Sequence, residues 1–127
     1  MSKTKVIQII EESFMRELIF QHDISDISYN GESLFYFSAT RGRQFYKKVS
    51  REEVATFLRN VANYANARFS YTDTFLDVSI YKYRLSAMHY ALSRYGFIES
   101  VSFALRINHH FLAQNPHYIL AEVQSIL

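Results

Sequence analysis

A chain of 127 residues that is 49% apolar and 17% aromatic is long enough to bury one domain's core, and no linker-like tract divides it. Its formal net charge of +2 is too small to imply nucleic acid by itself, and the absence of cysteine excludes disulfides and thiolate chemistry and fits a reducing compartment. The apolar run after Met1 is too short for a signal peptide and no window approaches about 18 uninterrupted apolar residues, so the sequence reads as cytosolic.

Ten Tyr and eleven Phe, with no Trp, predict a core built largely from rings, with phenol oxygens at its rim. From Lys5 to Phe20, Val6, Ile9, Ile10, Phe14, Leu18 and Ile19 recur at three- and four-residue spacing, which predicts an amphipathic helix. From Ile24 the period shortens to two, through I-S-D-I-S-Y and then E-S-L-F-Y-F-S. The Asn30-Gly31 between these runs predicts a hairpin, because both residues tolerate the positive φ of a tight primed turn. Thr40 to Arg43, with Gly42 inside it, predicts a second turn, into Q-F-Y-K-K-V. Ser50 then caps a second helix, with Glu53 as its capping-box partner and Val54, Phe57, Leu58, Val61 and Ala65 as its buried stripe.

The strongest strand signal runs from Phe75 to Asn108. At period two, Leu76, Val78 and Ile80, then Leu85 and Ala87, then Val101, Phe103, Leu105 and Ile107 fall on core faces. A turn near Gly96 separates the last two segments, whose opposite faces carry Arg84, Ser86 and Met88, and Ser100, Ser102, Ala104 and Arg106. Asn115-Pro116 opens a last helix through Tyr118, Ile119, Ala121, Glu122, Val123 and Ile126, with Asn115 as cap and Pro116 at the first helical position. The expected fold is α+β, one domain over residues 1–127: an antiparallel sheet of about six strands with helices packed on one side.

Glycine occurs only at Gly31, Gly42 and Gly96, so neither G-x-x-x-x-G-K-[ST] nor G-x-G-x-x-G is present, and G-x-S-x-G is absent too. The chain has no phosphate loop, and no catalytic residue or activity of its own is expected. His109 and His110 project differently in any regular structure, and His22, His89 and His117 lack partners at ligand spacing, so no metal site is expected. The acids Asp26, Asp73 and Asp77 are scattered.

Two sets of cations have a functional and a structural reading. Arg84 and Arg106 stand on segments that can be sheet neighbours and can form an anion site, or they pair with local acids such as Asp77 or Glu99. Arg41, Arg43, Lys47, Lys48 and Arg51 span a turn, a strand and a helix start, where positive charge opposes the macrodipole. They form either a patch for an anionic partner such as nucleic acid or a lipid surface, or an edge strand protected by solvated charges.

The succession I-S-D-I-S-Y-N-G, a strand pair, a capped helix, F-L-D-V-S-I-Y-K-Y-R-L-S-A-M-H and S-F-A-L-R-I resembles the N-terminal domain of the hexameric traffic ATPases that drive type II and type IV secretion, pilus assembly and conjugation. The resemblance covers roughly residues 20 to 126 and rests on "I-x-D-I-x-x-N-G", "D-V-x-x-x-x-x-R-L-x-A" and "x-x-L-R-I". It implies a regulatory and assembly domain that precedes a RecA-like motor of the same polypeptide, with ATP and Mg held mainly by that motor. By this match Arg84 and Arg106 are the phosphate-contacting candidates, and residues 109–127 are the linker into the motor. It also implies a hexamer, partners in the secretion or conjugation machinery, and a place in the cytoplasm or at the inner face of the cell membrane. Family members tend to carry a glycine before the first arginine, where this chain has Y-K-Y-R, so Ile80 to Arg84 reads either as a tight hairpin or as one bent strand.

Two other classes fit the residues. One is a stand-alone PAS-like sensor or binding module whose aromatic core encloses a small ligand. The other is an aromatic sheet that stacks single-stranded nucleic acid through Tyr36, Phe45 and Tyr46.

Overall fold

The computed structural model describes residues 1–70, 72–92 and 98–117, with the backbone alone at 91, 92, 98 and 99. Its elements run α1 (Lys3–Glu11), α2 (Arg16–Ile19), β1 (Ile24–Tyr29), β2 (Ser33–Ser38), β3 (Gly42–Lys48), α3 (Arg51–Tyr64), β4 (Phe75–Ile80), β5 (Tyr83–Leu92), β6 (Ile98–Ile107) and α4 (Phe111–Gln114). The strands form one six-stranded antiparallel sheet in the order β3-β2-β1-β6-β5-β4. Two three-stranded meanders are thus joined where the first strand pairs with the last. This α+β architecture is the one the periodicities predict.

The expected first helix is broken in two. Ser13 stands between α1 and α2, where its hydroxyl donates to the Ile10 carbonyl at 2.7 Å and accepts from the Met15 N–H at 3.2 Å. A side chain that satisfies the backbone locally competes with the helical ladder. The apolar stripe survives the break, and Val6, Ile10, Met15, Leu18 and Ile19 are all buried.

In the β1–β2 turn only Gly31 takes a positive φ, of 102°. Asn30 acts instead through its side chain, whose Oδ1 accepts from the N–H groups of Glu32 and Ser33 at 3.0 and 2.9 Å. The cap of α3 is as expected at Ser50, which accepts from the Glu53 N–H at 3.2 Å. Ala62 rather than Ala65 completes its buried stripe, and Ala65 is the residue that ends the helix.

Between β4 and β5 the chain makes a tight hairpin, with Ile80 paired to Tyr83 across Tyr81 and Lys82. Tyr81 supplies the positive φ, 53°, that a glycine would otherwise supply. Its ring lies 6.0 Å from that of Tyr83 and 5.4 Å from that of Phe111, contacts that hold a conformation costing an L-residue about 1–2 kcal/mol.

The core lies between the sheet and α1 to α3. Every inward residue predicted for β4 to β6 is buried, and Phe14, Phe57, Phe103 and Tyr29 pack in sequence at 5.2, 6.0 and 5.9 Å between ring centroids. Phenol oxygens sit at the rim as composition suggests. Tyr83 donates to Glu11 at 2.6 Å, Tyr29 to the Val49 carbonyl at 2.7 Å, and Tyr46 to Glu17 at 3.1 Å. Burial, together with the Glu11 carboxylate, pushes the Tyr83 phenol far above its usual range.

At the far end, Asn115 closes α4, its side chain donating to the Phe111 carbonyl at 2.9 Å. The helix expected over Tyr118 to Ile126 and the turn near Gly96 lie outside the described residues. Among the described residues, no helix is long and apolar enough to cross a membrane.

Candidate functional site

The sheet face opposite α1 and α3 carries the candidate arginines. Cross-strand partners point to the same side, so the register can be followed across all six strands. Arg43 faces Phe37, Phe37 faces Asp26, Asp26 faces Arg106, Arg106 faces Arg84 and Arg84 faces Ser79. The next row reads Phe45, Phe35, Ser28, Ala104, Ser86 and Asp77.

Arg84 and Arg106 are therefore immediate neighbours on adjacent strands, as proposed for an anion site. Like charges directly opposite repel, and two carboxylates offset this. Arg106 Nε donates to Asp26 Oδ1 at 3.3 Å, and Arg84 Nη2 lies 3.5 Å from Asp77 Oδ2. The charge order across the sheet is acid, arginine, arginine, acid. Both guanidinium side chains remain mostly exposed, at 66% for Arg84 and 77% for Arg106.

Exposed pairs of this kind are worth about 0–1 kcal/mol. A phosphate offering bidentate, charge-assisted contacts can displace a carboxylate at small cost. The Asp77 pairing foreseen as the structural alternative is present, Arg106 pairs with Asp26, and the Glu99 side chain lies outside what the structure describes.

The basic run from Arg41 to Arg51 does not form one patch. Arg41 pairs with Asp23 at 3.8 Å, Lys48 with Glu32 at 3.4 Å, and Lys47 lies 5.3 Å from the Tyr46 ring centre. Arg51 Nε donates to the Gly31 carbonyl at 3.2 Å, which ties the β1–β2 turn to the start of α3 and explains a cation at that end. Arg43 alone of the five joins the arginine row, with its guanidinium 4.6 Å from the Phe35 ring centre. Alternation along β3 and the irregular register between Leu34 and Phe35 divide the run between the two faces.

The stacking platform of Tyr36, Phe45 and Tyr46 is likewise divided. Tyr36 and Tyr46 pack against the core at 6.3 Å from each other, while Phe45 stands on the opposite face beside Phe35. Sequence reading missed Phe35 and Phe37, which share the open face with Arg43 and Arg106. Those residues, with Asp26 and Ser28, wall a depression of about 300 Å³. The F-Y-F alternation in β2 was a usable signal, but only a known register says which member of it faces the core.

Ser100 departs from its predicted exposure and is only 5% exposed, because the Gly31 turn lies directly over it. Tertiary packing brings His22 and His109 together at 5.6 Å between rings, a pair that spacing did not indicate. His109 Nε2 is engaged with the Ile24 carbonyl, and among the described residues no group of three His, Asp or Glu side chains converges as metal ligands.

No protein-family profile matches the sequence. No curated protein matches it either. A solved structure does: the VirB11 ATPase of the Brucella suis type IV secretion system, in complex with sulphate, is similar in fold with a TM-score of 0.64 over 92% of this chain, at 15% identity. The match occupies 36% of that protein, so the chain spans about a third of its length. At this identity the likeness is one of fold. It falls on a type IV secretion ATPase, one of the family whose N-terminal domain the sequence motifs resemble.

Proposed function

We propose that this chain is the N-terminal regulatory and assembly domain of a secretion-type ATPase and lends Arg84 and Arg106 to a nucleotide held mainly by a motor domain of the same polypeptide. The observation that carries this reading is the coincidence of motif and fold. The patterns that resemble the family lie on β1, β4, β5 and β6, and the fold over 92% of the chain is shared with part of a VirB11 ATPase. The register adds a physical reason, since it sets two permanently charged forks side by side on an exposed face. In this reading the motor supplies the phosphate loop and the Mg, the polypeptide forms a hexamer, and the chain by itself is not an enzyme. Cytoplasmic location at or near the membrane, with partners in the secretion or conjugation machinery, belongs to the same proposal.

A PAS-like sensor has less support, because the Phe14, Phe57, Phe103 and Tyr29 rings fill the centre of the space between sheet and helices and leave a recess of about 540 Å³ only at its edge, lined by Arg51, Glu52, Arg59, His89 and Ser100.

The test is made in the polypeptide that carries the motor. Arg84→Ala and Arg106→Ala should each lower ATPase turnover or raise the nucleotide requirement, Arg→Lys should rescue only partly, and the melting temperature of the 127-residue chain should not move. The chain alone should bind ATP weakly and in a salt-sensitive way. Wild-type turnover in the double alanine variant would remove the proposed role, and micromolar ATP binding by the chain alone would show that the site needs no motor.

A further inference from the structure

We propose that the β2–β3 hairpin presents a docking surface for single-stranded nucleic acid, a function distinct from the nucleotide contact of Arg84 and Arg106. From Ser33 to Ser50 the sequence contains Arg41, Arg43, Lys47 and Lys48 and no Asp or Glu. Within this acid-free stretch three phenylalanines point to the open face. Phe35 and Phe45 are register partners with rings 5.9 Å apart, and Phe37 pairs with Arg43. Phe37 is 48% exposed and Phe45 56%, although neither ring has a polar atom of its own to present to water.

The row beside these rings is low. Beyond Phe35 the row continues as Ser28, Ala104 and Ser86, so the rings stand above a floor of small side chains. Aromatic rings on adjacent strands of a sheet, with helices on its back, are an arrangement that lets splayed bases stack without sequence preference. Arg43 lies over the Phe35 ring, and among the described residues no carboxylate forms an ion pair with it, so its charge is available to a phosphate between stacked bases.

The acids nearest this surface are already engaged: Asp26 by Arg106, Asp23 by Arg41 and Ser38, and Glu32 by Lys48. Aromatic and arginine side chains also mark protein interfaces. The hairpin contributes Arg43 and no acid to the face that bears the rings, and this favours a polyanion over a protein.

The experiment is fluorescence anisotropy of end-labelled dT15 and rU15 with the full 127-residue chain, at low salt and through a salt titration. Binding of either oligonucleotide is expected, and the tighter of the two identifies DNA or RNA as the source. Phe37→Ala and Phe45→Ala should each weaken it about tenfold, the loss of roughly one stacked base. Arg43→Ala should weaken binding and lower the salt slope by about one phosphate contact, while Arg59→Ala, exposed on α3 behind the sheet, should leave it within about twofold. All four side chains are on the surface, and unchanged circular dichroism would exclude misfolding.

No binding of either strand would overturn the proposal. So would phenylalanine variants that bind as the parent does, since affinity would then be charge alone. Self-association abolished by Phe37→Ala, without oligonucleotide binding, would make the face a protein interface and overturn it equally.

Discussion

The two meanders that meet at β1 and β6 have the same strand count but are built on different rules. In β4-β5-β6 the register runs without a break from Phe75 opposite Met88 to Leu92 opposite Ile98. Each predicted inward residue is buried, and the outward ones are small, polar or charged except Phe75 and Met88, which pair on the open face at 59% and 50% exposure. In β1-β2-β3 the register shifts twice, between Ile24 and Asp26 and between Leu34 and Phe35. Each shift places an extra residue in β1 or in β3 and reverses the facing of that strand beyond it, while β2 alternates without a break. The outward face of this half carries Phe35, Phe37 and Phe45 beside Arg43. A clean alternation builds a face that holds the fold. The irregular half differs in grouping three outward rings beside one arginine, where they can serve contact.

The largest expected effect separates the two faces of the regular half. Leu105 is 1% exposed in β6, between β1 and β5, so Leu105→Asp should unfold or aggregate the chain by placing an unpaired charge in the core. Ser102→Asp, on the other face of the same strand, should cost no more than about 1 kcal/mol. The irregular half should show the same contrast at Leu34→Asp against Phe37→Ser, the first buried and the second exposed. Circular dichroism melts of the four variants check it, and equal melting temperatures within either pair would break the comparison.

A smaller effect tests the seam between the halves. The Gly31 turn of the first meander rests on Ser100 of the second, and a Cβ at Gly31 would lie 2.8 Å from the Ser100 Oγ at a φ of +102°. Gly31→Ala should therefore cost about 2–3 kcal/mol, from strain and overpacking together. Gly42 also has a positive φ, +71°, but a Cβ there meets nothing within 4 Å. Gly42→Ala should cost only about 1 kcal/mol, the price of the backbone conformation. Urea denaturation of both proteins should show this order.

The smallest effect lies at the outer turn of the irregular half. The Ser38 hydroxyl, donating to Asp23 Oδ2 at 2.7 Å, holds that carboxyl below its usual range, helped by Thr40 and Arg41. A depressed folded-state pKa stabilises the protein above the unfolded carboxyl's pKa, and that contribution is lost as pH falls through the lowered folded value. Ser38→Ala should move the Asp23 titration, followed by carboxyl NMR, toward its ordinary range. The stability difference between the two proteins should be present at neutral pH and shrink in strong acid. An unmoved Asp23 titration would mean that Arg41 or Thr40 holds the charge instead.

Much of this protein was determined by its sequence alone, wherever the cause of a structure is local. Ser50 caps α3 because its hydroxyl needs only the next turn, and β4, β5 and β6 declare their faces because each obeys an uninterrupted period of two. The candidates Arg84 and Arg106 were legible for the same reason: both lie on regular strands, outside the core stripe. What tertiary structure decided is long-range. The pairing of β1 with β6 brings Asp26 to Arg106 from 80 positions away. The pairing of β2 with β1 and β3 sets Phe35 and Phe37 on the open face, and the bulge in β3 divides the run from Arg41 to Arg51 between two faces. Tyr81 holds a glycine's conformation because Tyr83 and Phe111 surround it. Local propensity and period are properties of a few neighbouring residues. Register, bulge position and ring contacts are set by which distant segments share the most favourable burial, and no short stretch of sequence carries that information.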